Sequence, residues 1–197
     1  MKFILILTLC LISFSGKTQN YIDSLTQERK NAESYFLVTV LNKEERKHFP
    51  HLCYFPIDTT YRVQATFQKE KGKPFAMPMS SARLVYYRKV GTITFTIKDT
   101  LCKLTVYENM EFVANPENKH AKFIPFKDET RGSTTYGAGK YIDCSFKKRA
   151  KKVVIDFNTS FHPYCAYSER YSCPIVPNEN TLPVSIEAGE CYEKPLD

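Results

Sequence analysis

Several familiar signatures are missing from this sequence. Its longest apolar run, Phe3 to Phe14, is shorter than the roughly 20 residues needed to cross a bilayer, so no transmembrane segment is expected. No internal period, low-complexity tract or linker divides the chain. The Gly-Lys-Ser/Thr ending of a phosphate-binding P-loop is absent, as are a dinucleotide fingerprint and the Gly-x-Ser-x-Gly of a nucleophile elbow. Glycine is scarce, with seven residues in 197. Of the six that follow Gly16, three cluster at Gly132, Gly137 and Gly139 and mark unusual backbone between Phe126 and Tyr141.

What is present begins with an export pattern. Lys2 gives a charged start, the run to Phe14 is almost wholly apolar, and Ser15-Gly16 supplies small residues for cleavage between Ser15 and Gln19. Residues 1–18 are expected to be a signal peptide, and residues 19–197 a single exported domain, periplasmic or secreted. Losing Lys2 and Lys17 leaves 26 basic against 21 acidic residues, net +5. That excess is diffuse, and no nucleic-acid partner is expected. Its densest part, Lys147-Lys148-Arg149-Ala150-Lys151-Lys152, lies between two strand-like runs and reads as a solvated hairpin tip.

The periodicity predicts a helical segment over residues 22–48. Ile22, Leu25, Arg29, Ala32, Tyr35 and Phe36 recur at helical spacing, with Asp23 or Ser24 available as N-cap. A short second helix follows Asn42 and ends at Pro50. From residue 52 to 187 the period changes to two. Strands are predicted over 61–67, 83–88, 92–97, 103–107, 123–126, 140–146, 153–157 and 183–187, with hairpin turns at Val90-Gly91 and Lys98-Asp99-Thr100. Nothing helical separates the later runs, which excludes parallel βαβ units. The fold class is mainly β: an antiparallel meander closing into a barrel or sandwich, with the helical segment packed on it.

Six cysteines remain after Cys10, an even number compatible with disulfides in an exported protein. Cys165 and Cys173 flank a Tyr-rich turn and are the one pair suggested by local sequence; closing that loop contributes about 2.5 kcal/mol in the chain-entropy model. Metal-ligand spacing is poor. Pro50 interrupts the string His48, His51 and Cys53, and His162 with Cys165 and Cys173 competes with the disulfide, so neither metal nor cofactor is expected.

The candidate site joins the glycine loop to the polar, aromatic C-terminal stretch. Tyr136, Tyr141 and Tyr167 would wall a small polar or anionic ligand. N–H groups at Gly137 and Gly139, with Lys140, would hold its anionic part, and Asp156, Asn158 and Glu179 would orient it. A second reading is a hydrolase of an envelope or extracellular substrate with Asp156 or Glu179 as acid/base; Asp128, Asp143, Glu187 and Glu190 are further carboxylates. A third is a structural or interaction module in which the same residues are buried and mutually bonded.

Separated motifs resemble the domain-of-unknown-function 1684 family. They include Phe123-Ile124-Pro125-Phe126-Lys127-Asp128, Tyr136-Gly137-Ala138-Gly139-Lys140-Tyr141 with Asp143, Asp156-Phe157-Asn158, Pro163-Tyr164-Cys165-Ala166-Tyr167, Cys173-Pro174, Glu179-Asn180 and Ala188-Gly189-Glu190. The resemblance implies a bacterial or archaeal protein of about this size, without an assigned activity. Two departures matter: Lys140 stands where Arg is usual, weakening a bidentate anion clamp, and His162 stands where Asn is usual. Family members without export signals share both motif cysteines, so the resemblance leaves reduced thiols at Cys165 and Cys173 open.

Overall fold

The computed structural model describes residues 2–193, with side chains from residue 18 onward; the side chains of the expected export segment through residue 17 lie outside the described residues. The chain divides into two compact units, residues 1–42 and 43–197.

The first unit is one long helix, α1 (Lys2–Tyr35), closed by a π-helical turn (Phe36–Val40). The helix does not begin at Asp23 or Ser24. Both side chains instead bond along it, Gln19 Nε2 donating to Asp23 Oδ1 at 2.8 Å and Ser24 Oγ to Glu28 Oε1 at 3.3 Å. No proline lies between residues 16 and 22 to impose a break. Among the described residues no helix is long and apolar enough to cross a membrane.

The second unit opens with a single helical turn, α2 (Glu45–His48), and is then mainly β. Its strands are β1 (Arg62–Lys69), β2 (Pro74–Met77), β3 (Val85–Ile97), β4 (Thr100–Asn109), β5 (Ala121–Phe126), β6 (Lys140–Ser145) and β7 (Lys152–Asp156). They form one antiparallel sheet in the order β6-β5-β4-β3-β1-β7, with β2 added beside β3. The expected turn at Val90-Gly91 is instead a bulge inside β3, where pairing with β4 shifts between Lys89 and Gly91. Glycine is required there by close approach, since a Cβ would lie 2.4 Å from both Gln68 O and the Phe67 ring. The turn at Lys98-Asp99 is real, with both residues at positive φ, as a two-residue hairpin demands.

Strands β6 and β7 lie at opposite ends of the sheet order, yet only residues 146–151 join them. Fully extended, that link reaches about 24 Å, and crossing five flat interstrand spacings also takes about 24 Å. The link is not extended, because Ala150 N–H donates back to Lys147 O at 2.9 Å. The sheet therefore curls into a half-barrel, and the lysine-rich stretch is the tie between its edges rather than a hairpin tip. Ile93, Leu104, Ile124, Ile155, Phe157 and Ile186 are fully buried in the core.

Residues 157–193 contain no strand, and the one expected over 183–187 is absent. Pro183 has no N–H to give, and the segment makes isolated bonds beside the sheet, such as Leu182 N–H to Lys127 O at 2.8 Å, while Leu182, Val184 and Ile186 pack into the core. Buried side chains supply the missing rungs. Asn180 donates from Nδ2 to Thr105 O at 2.9 Å and Pro125 O at 2.7 Å, and accepts from Thr105 N–H at 2.7 Å. It sits between β4 and β5, which share one register pair, Tyr107 with Phe123.

One disulfide, Cys53–Cys191, closes the unit across 138 residues. In the chain-entropy model a loop of that length contributes about 5 kcal/mol. The expected Cys165–Cys173 pairing is not formed: both are thiols, with Cys165 N–H donating to Cys173 Sγ at 3.3 Å. Sequence proximity favoured the short loop. The pair that forms is brought together by tertiary contacts, the bridge between Tyr54 and Glu190 and the bond from Cys191 N–H to Cys53 O at 3.0 Å.

Candidate functional site

Alternation along β6 sends Ile142 into the core and puts Tyr141 and Asp143 on the opposite face. Register pairs Asp143 with Phe123 on β5, and Tyr87 pairs with Asn109 across β3 and β4. The turn after β4 adds Phe112, and the C-terminal stretch adds Phe161 and Pro174. Together these residues line a cavity of about 350 Å³ on the outer face of the sheet. Its walls are mostly aromatic and mutually braced. The Tyr141 ring meets Phe123 edge-on at 4.8 Å and Phe161 at 5.9 Å, while Tyr87 stacks against Phe123 at 5.5 Å. Tyr141 is locked because its hydroxyl donates to Pro174 O.

Asp143 is the carboxylate in this cavity. Solvent reaches it, yet among the described residues nothing hydrogen-bonds or ion-pairs with its oxygens. Desolvation by the surrounding walls pushes its carboxyl up to about 6. Lys122, which also lines the cavity, is fully buried and committed elsewhere: its Nζ lies 3.1 Å from Glu108 Oε1 and donates to His120 O and Ala121 O. A volume of this size with aromatic walls and one unmatched acceptor suits a small ligand that brings an apolar body and a hydrogen-bond donor or cation.

The residues singled out by sequence do not assemble into one site. Tyr141 lines the cavity just described. Tyr136 and Tyr167 meet instead around His162, whose imidazole lies 6.3 and 6.2 Å from their rings. Tyr136 N–H donates to His162 Nε2 at 3.3 Å, so the ring carries its proton on Nδ1, which faces Tyr167 Oη at 3.0 Å and Glu190 Oε2 at 3.5 Å. Burial, reinforced by Lys140, lowers the imidazole to about 3. It is a neutral, fully hydrogen-bonded core histidine.

Lys140 does not hold an anion at the surface. It is fully buried, donating to Ile186 O at 2.8 Å and Ala188 O at 3.1 Å, with Asp128 Oδ2 at 3.6 Å. Burial lowers its ammonium to about 8 against the opposing pull of Asp128. Gly139 is held at φ +102°, and a Cβ there would lie 2.4 Å from Phe126 O; Gly137 is exposed. Asn158, 1% exposed, clamps the backbone of Asp58, accepting from its N–H at 3.0 Å and donating to its carbonyl at 2.8 Å. Asp156 accepts from Asn158 N–H and faces Arg62 at 3.6 Å. Glu179 accepts from Tyr107 Oη at 2.9 Å, on a strand separated from that of Asp156 by β3 and β1. Asp156 and Glu179 are thus not arranged as an acid/base pair. Of the proposed metal strings, Cys53 is consumed by its disulfide, and no three His, Cys, Asp or Glu residues converge among the described residues.

The pattern for the protein of unknown function DUF1684 matches residues 47–191. The chain belongs to the DUF1684 family. A solution NMR structure of an uncharacterized protein from Haloarcula marismortui is similar, at 28% sequence identity and a TM-score of 0.69, over 90% of this chain and 97% of that one. No curated protein matches. The DUF1684 match takes in both disulfide cysteines and the whole aromatic cavity, while α1 precedes it. Sequence reasoning placed Asp143 among the carboxylates but not in the site. The signal that finds it is the two-residue step from Tyr141 along β6, which puts both side chains on one face.

Proposed function

We propose that the protein is an exported binding protein for a small polar ligand. The ligand lodges an apolar or aromatic body between Tyr87, Phe123 and Phe161 and presents a donor, protonated where it is an amine, to Asp143. The observation that carries this reading is an unmatched carboxylate in an aromatic cavity of about 350 Å³. Above pH 6 the carboxylate is charged and favours a cation, whereas an anion would face repulsion with no free cation among the groups lining the pocket. Export is supported by the N-terminal pattern and by Cys53–Cys191, a bond that persists in oxidising compartments.

The test is a thermal-shift screen of the protein at pH 7.5 against amines, amino acids, sugars and carboxylates, repeated on Asp143→Asn. A cationic or donor-rich compound at a hundred times its dissociation constant adds about 2.7 kcal/mol. The expected result is a hit from that class that disappears in Asp143→Asn. A hit confined to carboxylates, or one retained in the variant, overturns the proposal.

A further inference from the structure

The edge-to-edge tie borders a second hollow that shares no lining residue with the aromatic cavity. Phe146 N–H donates to His120 O at 3.1 Å and Phe67 N–H donates to Lys151 O at 2.8 Å, so three chain segments are fastened together by backbone bonds. They border a wide-open cup of about 490 Å³ lined by Lys69, Lys119, His120, Lys147, Lys148 and Arg149. Every lining residue is basic or imidazole. A neighbouring hollow shares Lys69 and Lys148 and adds Lys71, Arg88 and Lys89, with Glu70 its one acid.

The local acids do not neutralise this surface. Glu108, fully buried beneath it, is taken by Arg88 at 2.6 Å and Lys122 at 3.1 Å, with Lys148 at 3.4 Å as a third cation. Glu70 pairs with Lys89 at 3.5 Å. Among the described residues, Lys69, Lys119, Lys147 and Arg149 have no ion-pair partner. His120 Nδ1 is buried without a hydrogen-bond partner. Local desolvation and the charges of Lys119, Lys122, Lys147 and Lys148 lower the imidazole below its ordinary range.

Like charges gathered on one surface area raise its positive potential and favour an anion there. We propose that this cup binds a compact, multiply charged phosphate, such as an oligophosphate or the phosphate end of a small ester. Its cations come from β1, the β4–β5 connection and the β6–β7 tie and gather on one small area, which suits a compact anion of high charge. Lys147 and Arg149 contact the anion from one side and Lys69 and Lys119 from the other, while His120 becomes protonated against it.

The experiment is calorimetric titration of the protein with sodium tripolyphosphate at 50 and 150 mM salt. It is repeated on Lys147→Gln/Arg149→Gln and on a charge-matched control, Lys43→Gln/Lys103→Gln. Binding is expected in the wild type and the control and is expected to weaken at least tenfold in the cup variant, with the melting temperature unchanged. Histidine NMR, assigned with His120→Gln, is expected to show the His120 pKa rising when tripolyphosphate is added. No heat at 50 mM salt, equal loss in both double variants, or an unmoved His120 titration overturns the proposal. So does binding to phosphatidylglycerol vesicles without binding to tripolyphosphate, which would assign the patch to a membrane surface.

Discussion

Asn180 binds Thr105 as one strand binds another: Thr105 N–H donates to its Oδ1 at 2.7 Å and Thr105 O accepts from its Nδ2 at 2.9 Å. A third bond, to Pro125 O at 2.7 Å, spans the gap between β4 and β5. Asn180→Ala leaves three buried backbone groups without partners, each costing about 1–3 kcal/mol less any relaxation. A net loss of about 3 kcal/mol is expected, seen as a fall of roughly 6–12 °C in melting temperature. Asn180→Asp is expected to fall comparably at pH 7, since a carboxylate cannot donate to the two carbonyls. A melting temperature within 2 °C of wild type would refute this role.

Two of the three glycines in the loop before β6, Gly139 and Gly137, are expected to respond differently. Gly139→Ala places a Cβ against Phe126 O at positive φ, for an expected loss of about 2–3 kcal/mol. Gly137→Ala meets no close atom and is expected to change stability by less than about 0.5 kcal/mol. Urea unfolding followed by circular dichroism measures both. Equal losses would mean that the loop responds as a unit rather than through one close approach.

Acid sensitivity is expected to come partly from His162. Its folded-state pKa, about 3, lies below the ordinary value of 6.5, so between those limits the unfolded chain binds the extra proton. Stability from this group is therefore present above about pH 6.5 and is lost as pH falls towards 3. Asp143, raised to about 6, acts in the opposite sense, contributing below its ordinary value of 3.8 and losing that contribution as pH rises through 6. The histidine component is isolated by comparing wild type with His162→Asn, which is expected to be less sensitive between pH 6.5 and 4. Parallel stability curves for the two proteins would remove His162 from the account.

Thiol reactivity is expected to be uneven. Cys165 is held down to about 7 by its bond with Cys173, whose own thiol is raised by the same contact and by burial. Burial pushes Cys144 up to about 12 and also raises Cys102. Brief iodoacetamide treatment at pH 7.5, followed by peptide mass mapping, should label Cys165 first. A Cys165–Cys173 disulfide in the same peptides would reverse the assignment of these two as thiols.

Much of the fold was legible because antiparallel strands advertise themselves by alternation. Tyr61 to Phe67 and the Lys98-Asp99 turn needed no tertiary information. β2 escaped because Pro74–Met77 is short and largely exposed, and Gly91 read as a turn when its need is close approach within a continuous strand. The C-terminal stretch is polar and proline-rich, and specific contacts rather than regular structure hold it. Their nature was not legible. Asn158 and Lys140 look like ligand-binding chemistry in sequence, yet they, like Asn180, face backbone atoms up to 100 residues away, a relation that no local pattern encodes. Asp143 had the reverse problem: an ordinary carboxylate on a strand, made distinctive only by the aromatic rings folded around it.

The Cys53–Cys191 bond makes the domain a covalent ring, with the lysine-rich tie inside it. A protease that cuts one exposed bond at that tie opens the ring without freeing a fragment. The nicked protein keeps its mass on a non-reducing gel and separates into two pieces only after reduction. The new ends would also lie where the two edges of the sheet meet. A single cut there therefore turns the circle into a linear chain whose order begins at β7 and finishes at β6, a natural circular permutation held together by one sulfur–sulfur bond.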